Sequence, residues 1–226
     1  MKRIDTIKYA RRKTMGLYIT KQAEIEVRAP IGTSKKVIRD FVENHQEWID
    51  LHHRQVKQKV EKQERFKLNF SDQLLFLGEP YPLVPVQETS TGFDGQRFYA
   101  DAQANPEEIK NGMVKIYRGL AKQVLDYHVK ELGAQMGLKP KAVKINGAKT
   151  RWGSCSGKGN LNFSWYLVMA KEETIRYVVV HELAHLLEMN HSENFWKIVA
   201  QVLPDYKQEQ EKLKKLQQQL SVQNWE

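Results

Sequence analysis

The 226-residue chain contains a single cysteine, Cys155. It therefore has no internal disulfide framework and fits a reducing compartment. No apolar run approaches the roughly 20 residues that a membrane-spanning helix needs. The opening Met1-Lys-Arg-Ile-Asp-Thr-Ile-Lys8 is basic with no apolar segment behind it, so no secretory signal is expected and the chain is read as cytoplasmic. Prolines number only 7, and three of them, at 80, 82 and 85, fall in one segment. What is plentiful argues for a packed core, because 41% of residues are hydrophobic and 10% aromatic, far from a disordered composition. The net charge of +9 reads as dispersed rather than held in one block. Such a surface is usually a solvated one, though it favours encounter with nucleic acid or acidic substrates.

Hydrophobic periodicity predicts an α+β chain in two parts. Residues 15–29 alternate around Leu17, Ile19, Ile25 and Val27 and read as a β-hairpin. Thr33 or Ser34 can cap a helix carrying Val37, Ile38, Phe41, Val42, Trp48 and Ile49, with a polar continuation to about residue 65 in which His52 and His53 face solvent. Short strands follow at 66–70, 74–77, 81–86 and 97–100, the prolines keeping the third of them at a sheet edge. No chemistry-bearing constellation is found in residues 1–100, and residues 1–104 read as a supporting lobe, β-rich with one helix.

Residues 105–226 read as the catalytic part. Asn105, Pro106 and Glu108 form a helix start with a capping box, followed by an apolar stripe of Ile109, Met113, Ile116, Leu120, Val124 and Tyr127 that ends near Gly133 or Gly137. His128 on this helix is read as structural. A strand at 142–145, the segment Arg151–Ser156, a turn at 157–160 and an alternating strand 161–167 form a small sheet with a hairpin, where Cys155 is read as a small buried hydrophobe. Helices at about 171–188, 195–202 and 206–220 complete the chain.

The helix at 171–188 carries His181-Glu182-Leu-Ala-His185. Histidines four apart point the same way, so both can close on one metal ion, with Glu182 beside them. His191 follows six residues later. A continued helix would turn it roughly 240° away and about 9 Å along the axis, out of reach, so the helix must stop between them. Asn190 suits a left-handed stop, and Ser192 can cap a further helix beginning at Glu193. Three protein ligands leave the fourth zinc position open, which is the catalytic pattern. Zinc there makes hydroxide available near neutral pH, and Glu182 is the candidate general base. The helix is apolar nearly all round, so these polar groups would be costly inside it unless an ion, water and a cleft satisfied them.

Arg151-Trp-Gly-Ser-Cys-Ser156, Tyr177-Val-Val-Val-His-Glu-Leu-Ala-His185, Asn190-His-Ser192 and Phe195-Trp196 together resemble the YgjP-like metallohydrolases of the zincin superfamily. The early hairpin, the Trp48-Ile49 helix and Leu77-Gly78 extend the likeness over most of the chain. The resemblance implies a zincin-like catalytic half with His181, His185 and His191 as zinc ligands, Glu182 as general base and a polypeptide substrate. It also implies an edge strand beside the cleft that pairs with extended substrate, for which Arg151–Ser156 or Leu161–Leu167 are candidates. Glu188 stands where related metzincins carry glycine.

A zinc-dependent hydrolase, most simply a metallopeptidase, is therefore expected. Arg151, Tyr166, Tyr177 and Tyr206 are candidates for a second donor to the developing oxyanion. The competing expectation is a zinc-containing protein associated with nucleic acid through its basic surface, either non-catalytic or a protease recruited to DNA like the SprT-type zincins. It predicts binding that weakens steeply with salt.

Overall fold

The computed structural model describes residues 4–225 and divides into two compact units. Among the described residues, one comprises 4–66 with 222–224, the other 67–221 with 225. Three small sheets and six α-helices occur among the described residues, an α+β arrangement. No helix among them is long and apolar enough to cross a membrane.

In the first unit, β1 (Thr6–Ala10), β2 (Gly16–Ile19) and β3 (Ile25–Pro30) form a sheet in the order β1-β3-β2. The expected hairpin is β2 with β3, antiparallel, with Leu17 opposite Val27. The parallel pairing of β1 to β3 has no counterpart in the hydrophobic pattern. One sheet face, with Ile25, Val27 and Ala29, packs on Ile38 and Val42 of α1 (Lys35–Glu43) and Ile49 of α2 (Gln46–Arg65). Ser34 is the N-cap of α1, its hydroxyl accepting from the Val37 amide. The expected single helix is two, because the chain breaks at Asn44-His45, where His45 folds back through Nδ1 to the Phe41 carbonyl at 2.7 Å. His52, expected in solvent, is half-buried and stacked on Trp48.

The charge is less evenly dispersed than expected. Residues 1–66 contain sixteen lysines and arginines against nine acidic residues, and the rest of the chain twenty against eighteen. Most of the net positive charge, +7 of +9, belongs to the first unit.

The second unit begins with β4 (Gln73–Phe76), β5 (Glu79–Val86), β6 (Gly92–Phe93) and β7 (Phe98–Asp101), ordered β4-β5-β7-β6. Residues 66–70 do not form the expected strand. Nor is the proline-bearing β5 at an edge: it lies between β4 and β7. It tolerates its prolines because each half is laddered on one side only, residues 79–82 to β4 and residues 83–86 to β7. This sheet packs on α3 (Pro106–Met136), so the compact units part between residues 66 and 67, whereas the expected boundary falls between 104 and 105.

Helix α3 starts as expected, with both halves of the Asn105–Glu108 capping box formed, and ends at a left-handed Gly137. Its buried line departs from the expected stripe after Met113, running through Tyr117, Ala121, Leu125, Val129 and Leu132 while Tyr127 is exposed. Ile116, Leu120 and Val124 flank it half-buried. Tyr117 is the hub. Its ring lies 5.3 Å from Phe98, 5.4 Å from Trp165 and 5.6 Å from Trp225, and its hydroxyl donates to the Leu75 carbonyl at 2.8 Å. Burial pushes its phenol pKa far up, so it stays a donor.

A second sheet, ordered β8-β10-β9, comprises β8 (Ala142–Asn146), β9 (Gly153–Cys155) and β10 (Asn160–Ser164). The expected strand to Leu167 ends at Ser164 and passes into a 3₁₀ turn, Trp165–Met169. All five turn residues are buried, so the alternation of Trp165 and Leu167 marks total burial rather than a strand face. The Val168 carbonyl of this turn accepts from the Leu77 amide at 2.8 Å, which ties the first sheet to the segment that launches α4 (Glu172–Ala184). Helices α5 (Glu193–Val202) and α6 (Tyr206–Leu220) pack on α4.

Tyr117→Ala is expected to cost about 3–5 kcal/mol in urea unfolding and Tyr117→Phe about 1 kcal/mol. A loss below about 1 kcal/mol for the alanine variant would show that the aromatic hub does not hold this unit together.

Candidate metal centre

Helix α4 is sheathed by its neighbours: Ile175, Val178, Val179, Val180, Leu183 and Ala184 are all buried. At its C-terminal end a polar cluster breaks this apolar surface. His181 and His185 lie one turn apart with Glu182, itself buried, between them. The helix ends at Ala184, earlier than residue 188. It closes through tightened bonds from the Leu186 amide to Leu183 and from the Leu187 amide to Ala184, whose carbonyl also accepts from the Glu188 amide. Asn190 does not take the left-handed conformation, since the only non-glycine residues with positive φ among those described are Ala23 and Leu77. The stop is made instead by that tight turn and a bend at residues 189–190, after which Ser192 caps α5 as expected, accepting from the Phe195 amide. Glu188 needs no glycine there, because it contributes its backbone: its carbonyl lies 3.0 Å from His185 Nδ1. That contact fixes the ring and turns Nε2 toward the other histidines.

The turn brings His191 back to the helix. The three ring centroids form a nearly equilateral triangle, with sides of 4.9, 5.0 and 4.8 Å. One nitrogen from each ring lies within 4.8 Å of the other two, and Nε2 of His181 and His191 are 3.1 Å apart. Two imidazole nitrogens sharing a tetrahedral zinc at about 2.0–2.1 Å would stand roughly 3.3 Å apart, so the three donors fit such an ion in type and the His181–His191 pair fits it in spacing.

Electrostatics prepares the same set. Burial first, then the neighbouring His185 and His191, drives the His181 pKa down to about 3, and burial also lowers that of His185. Both are thus neutral near pH 7, as a metal ligand must be. Burial raises the Glu182 carboxyl to about 7, against the opposing pull of Arg151. A cation nearby would draw that value down again. Glu182 Oε2 is buried and without a hydrogen-bond partner. Unsatisfied buried carboxylate oxygens are costly, which marks this one as reserved for something the protein does not itself supply.

Two residues that sequence reading did not single out for the site complete it. Phe195 is fully buried with its ring centred 4.9, 4.5 and 4.8 Å from His181, His185 and His191, so one side chain braces all three imidazoles. Its position four residues after His191, at the third position of a capped helix, was the available signal. Gly153 in β9 is the other. A Cβ there would lie 2.6 Å from Glu182 Oε1 and 2.7 Å from its Cγ, so the carboxylate occupies the space a side chain would fill.

The remaining candidates separate. Arg151 is exposed and acts on Glu182 through its charge. Tyr177 stands 6.0 Å from the His181 ring and its hydroxyl accepts from Gln210 Nε2, while Tyr206 stacks on Trp196 at 5.1 Å. Tyr166 is turned into the core against Trp165 at 3.8 Å. Cys155 is half-buried in β9 and its thiol pKa is raised, mainly by burial and then by Glu182. His128 is buried between Glu131 and Glu172, apart from the triad. Of the two candidate substrate-pairing segments, β9 lies at the sheet edge and β10 in the middle.

A family model described as "YgjP-like, metallopeptidase domain" matches residues 13–216. The chain belongs to the YgjP-like family. Within curated proteins, the UTP pyrophosphatase of Escherichia coli (strain K12) is 26% identical over 102 residues, 45% of this chain and 58% of that protein. The chain thus matches little more than half the length of that relative. Among solved structures, the metallopeptidase zymogen of Pyrococcus abyssi abylysin is similar at 25% identity, covering 44% of this chain and 97% of that one, with a TM-score of 0.38. The YgjP-like family and the histidine triad together support a metal-dependent hydrolase.

By elemental analysis after dialysis, the wild-type protein is expected to retain one zinc per chain. His181→Ala, His185→Ala and His191→Ala are each expected to lose it, and Glu182→Gln to keep it. A triad variant that binds zinc like the wild type would remove that residue from the ligand set. Gly153→Ala is expected to keep zinc but to shift Glu182 and cut turnover by about 100-fold or more, since displacing a catalytic group by about 1 Å costs on that order. Turnover within a few-fold of wild type would show that the close approach is incidental.

Proposed function

We propose that this protein is a zinc-dependent hydrolase, specifically a metallopeptidase, in which Glu182 is the general base. His181, His185 and His191 would hold the ion, which supplies Lewis acidity at the coordination position that three protein ligands leave open. Glu182 takes a proton from the attacking water and delivers it to the leaving amine. The observation that carries this reading is the buried, unpartnered Oε2 of Glu182, one residue from His181 and packed on Gly153. Its raised pKa reflects the same burial, which suits a group that must both accept and release a proton.

The peptide assignment is supported by β9. As the edge strand of its sheet it can add an extended peptide through main-chain hydrogen bonds, and Gly153 sets that strand directly against the base. Tyr177, whose ring lies 6.0 Å from that of His181, is the tyrosine candidate for an oxyanion donor, and Arg151 could supply charge.

A second reading takes a nucleoside triphosphate as substrate. It is favoured by the relative named a UTP pyrophosphatase and by the exposed Arg151, whose guanidinium suits a phosphate. Glu182 would then serve the water attacking phosphorus and no amine would leave.

One assay separates the two. Zinc-loaded protein is offered a library of unstructured peptides and, separately, UTP with detection of pyrophosphate. The metallopeptidase reading predicts peptide cleavage that Glu182→Gln reduces by about 10²–10⁴-fold with zinc retained. Pyrophosphate release without peptide cleavage, abolished by the same variant, would replace the substrate while leaving the base in place. Turnover unaffected by Glu182→Gln would sink the general-base role.

A further inference from the structure

The sheet of the first unit has two faces, and only one is covered. Ile25, Val27 and Ala29 face the α1–α2 side, so by strand alternation Glu26 and Arg28 face the other way. The register places Lys8 of β1 beside Arg28, and Tyr18 of β2 beside Glu26, on that same open face. Side chains there are accessible: Lys8 is 59% and Arg28 47% exposed. Beneath them Glu26 is buried and binds both, Lys8 Nζ at 2.5 Å and Arg28 Nε at 2.7 Å. One carboxylate thus pins two cations in place and leaves a surplus positive charge.

The loop between β1 and β2 adds to it. Arg11-Arg12-Lys13 contributes three further cations at the end of this face. Arg12 is bent back over Gly16, whose absent side chain makes the room: a Cβ there would meet Arg12 Nη2 at 2.9 Å and the Tyr18 ring and hydroxyl at 3.0 and 3.1 Å. Arg12 Nε is buried with no hydrogen-bond partner. The Arg28 guanidinium carbon lies 4.3 Å from the ring centroid of the same tyrosine. The result is a contiguous Arg12–Tyr18–Arg28 patch flanked by Lys8, Arg11 and Lys13, with the Glu26 carboxylate beneath it. Its unit carries +7 of the chain's net charge of +9.

We infer that this open sheet face binds single-stranded nucleic acid, its cations tracking the phosphates and the Tyr18–Arg28 pair receiving a base. Charge alone would serve any polyanion. An exposed aromatic ring among arginines also offers a base a stacking partner, which a membrane headgroup or an acidic peptide does not need. The inference concerns a surface made without any of the metal-centre residues, and it stands or falls independently of the hydrolase reading.

The test uses the full chain, with and without zinc, and a fluorescein-labelled dT20 strand followed by anisotropy between 50 and 200 mM KCl. Binding is expected whose logarithm falls linearly with that of the salt concentration. Arg11→Ala/Arg12→Ala/Lys13→Ala, which leaves the Glu26 pairs intact, is expected to weaken it about tenfold or more. It should also make the slope shallower by about 2, at about 0.7 for each phosphate no longer neutralised. Tyr18→Leu is expected to weaken binding with the slope unchanged. Lys115→Ala/Lys207→Ala/Lys215→Ala, which removes the same charge from the second unit, is expected to change neither. Thermal melts matching the wild type establish that each variant is folded. Absence of dT20 binding at 50 mM KCl would overturn the inference, as would equal losses in both triple variants. Binding to phosphatidylserine vesicles without binding to dT20 would also overturn it and make the surface a membrane contact.

Discussion

The structure turns on one physical tension, a helix buried on nearly every side that ends in two imidazoles and a carboxylate. Apolar burial of α4 is what fixes it in place, yet the same burial penalises every charge at its C-terminal end. The protein resolves this by keeping His181 and His185 neutral, by giving His185 a backbone carbonyl, and by leaving a carboxylate oxygen of Glu182 unpaired. A cation within the triad and a water beside the carboxylate would remove the penalty. The polar cluster and the ion proposed to sit in it are therefore parts of one energetic argument.

Much of the second unit serves that end of α4. The Tyr117 hub joins α3, the first sheet and the 3₁₀ turn that delivers the chain into α4. Phe195 braces the three imidazoles from α5, and Trp196 and Tyr206 continue an aromatic wall to α6. Gly153 brings an edge strand against the carboxylate. A site assembled this way has its donors held by packing, which lowers the reorganisation needed when a transition state forms.

The grouping of the three histidines was legible in the sequence because helix geometry is local. An i, i+4 pair must share a face, and a histidine six residues on can join only if the helix stops. The stop was legible as a necessity, but its chemistry was not: Asn190 takes no positive φ, and tightened bonds at Leu186 and Leu187 end the helix instead. The Asn105–Glu108 box was equally local and formed as written. Contacts that depend on distant chain segments were not legible. Gly153 against Glu182 joins residues that no spacing rule connects, and the parallel pairing of β1 with β3 skips an intervening strand. The run Trp165–Met169 misled for a different reason, since a segment buried on all sides loses the alternation that distinguishes a strand face. The charge asymmetry was present in the sequence throughout, but it becomes visible only once the compact units divide the chain after Phe66.

If three imidazoles hold zinc and leave one position for chemistry, X-ray absorption at the zinc edge of the metal-loaded protein will show it. The expected first shell is three imidazole nitrogens at about 2.0–2.1 Å with one further light oxygen donor. A shell with sulfur at about 2.3 Å, which would implicate Cys155, or one closed by four protein nitrogens, would contradict it.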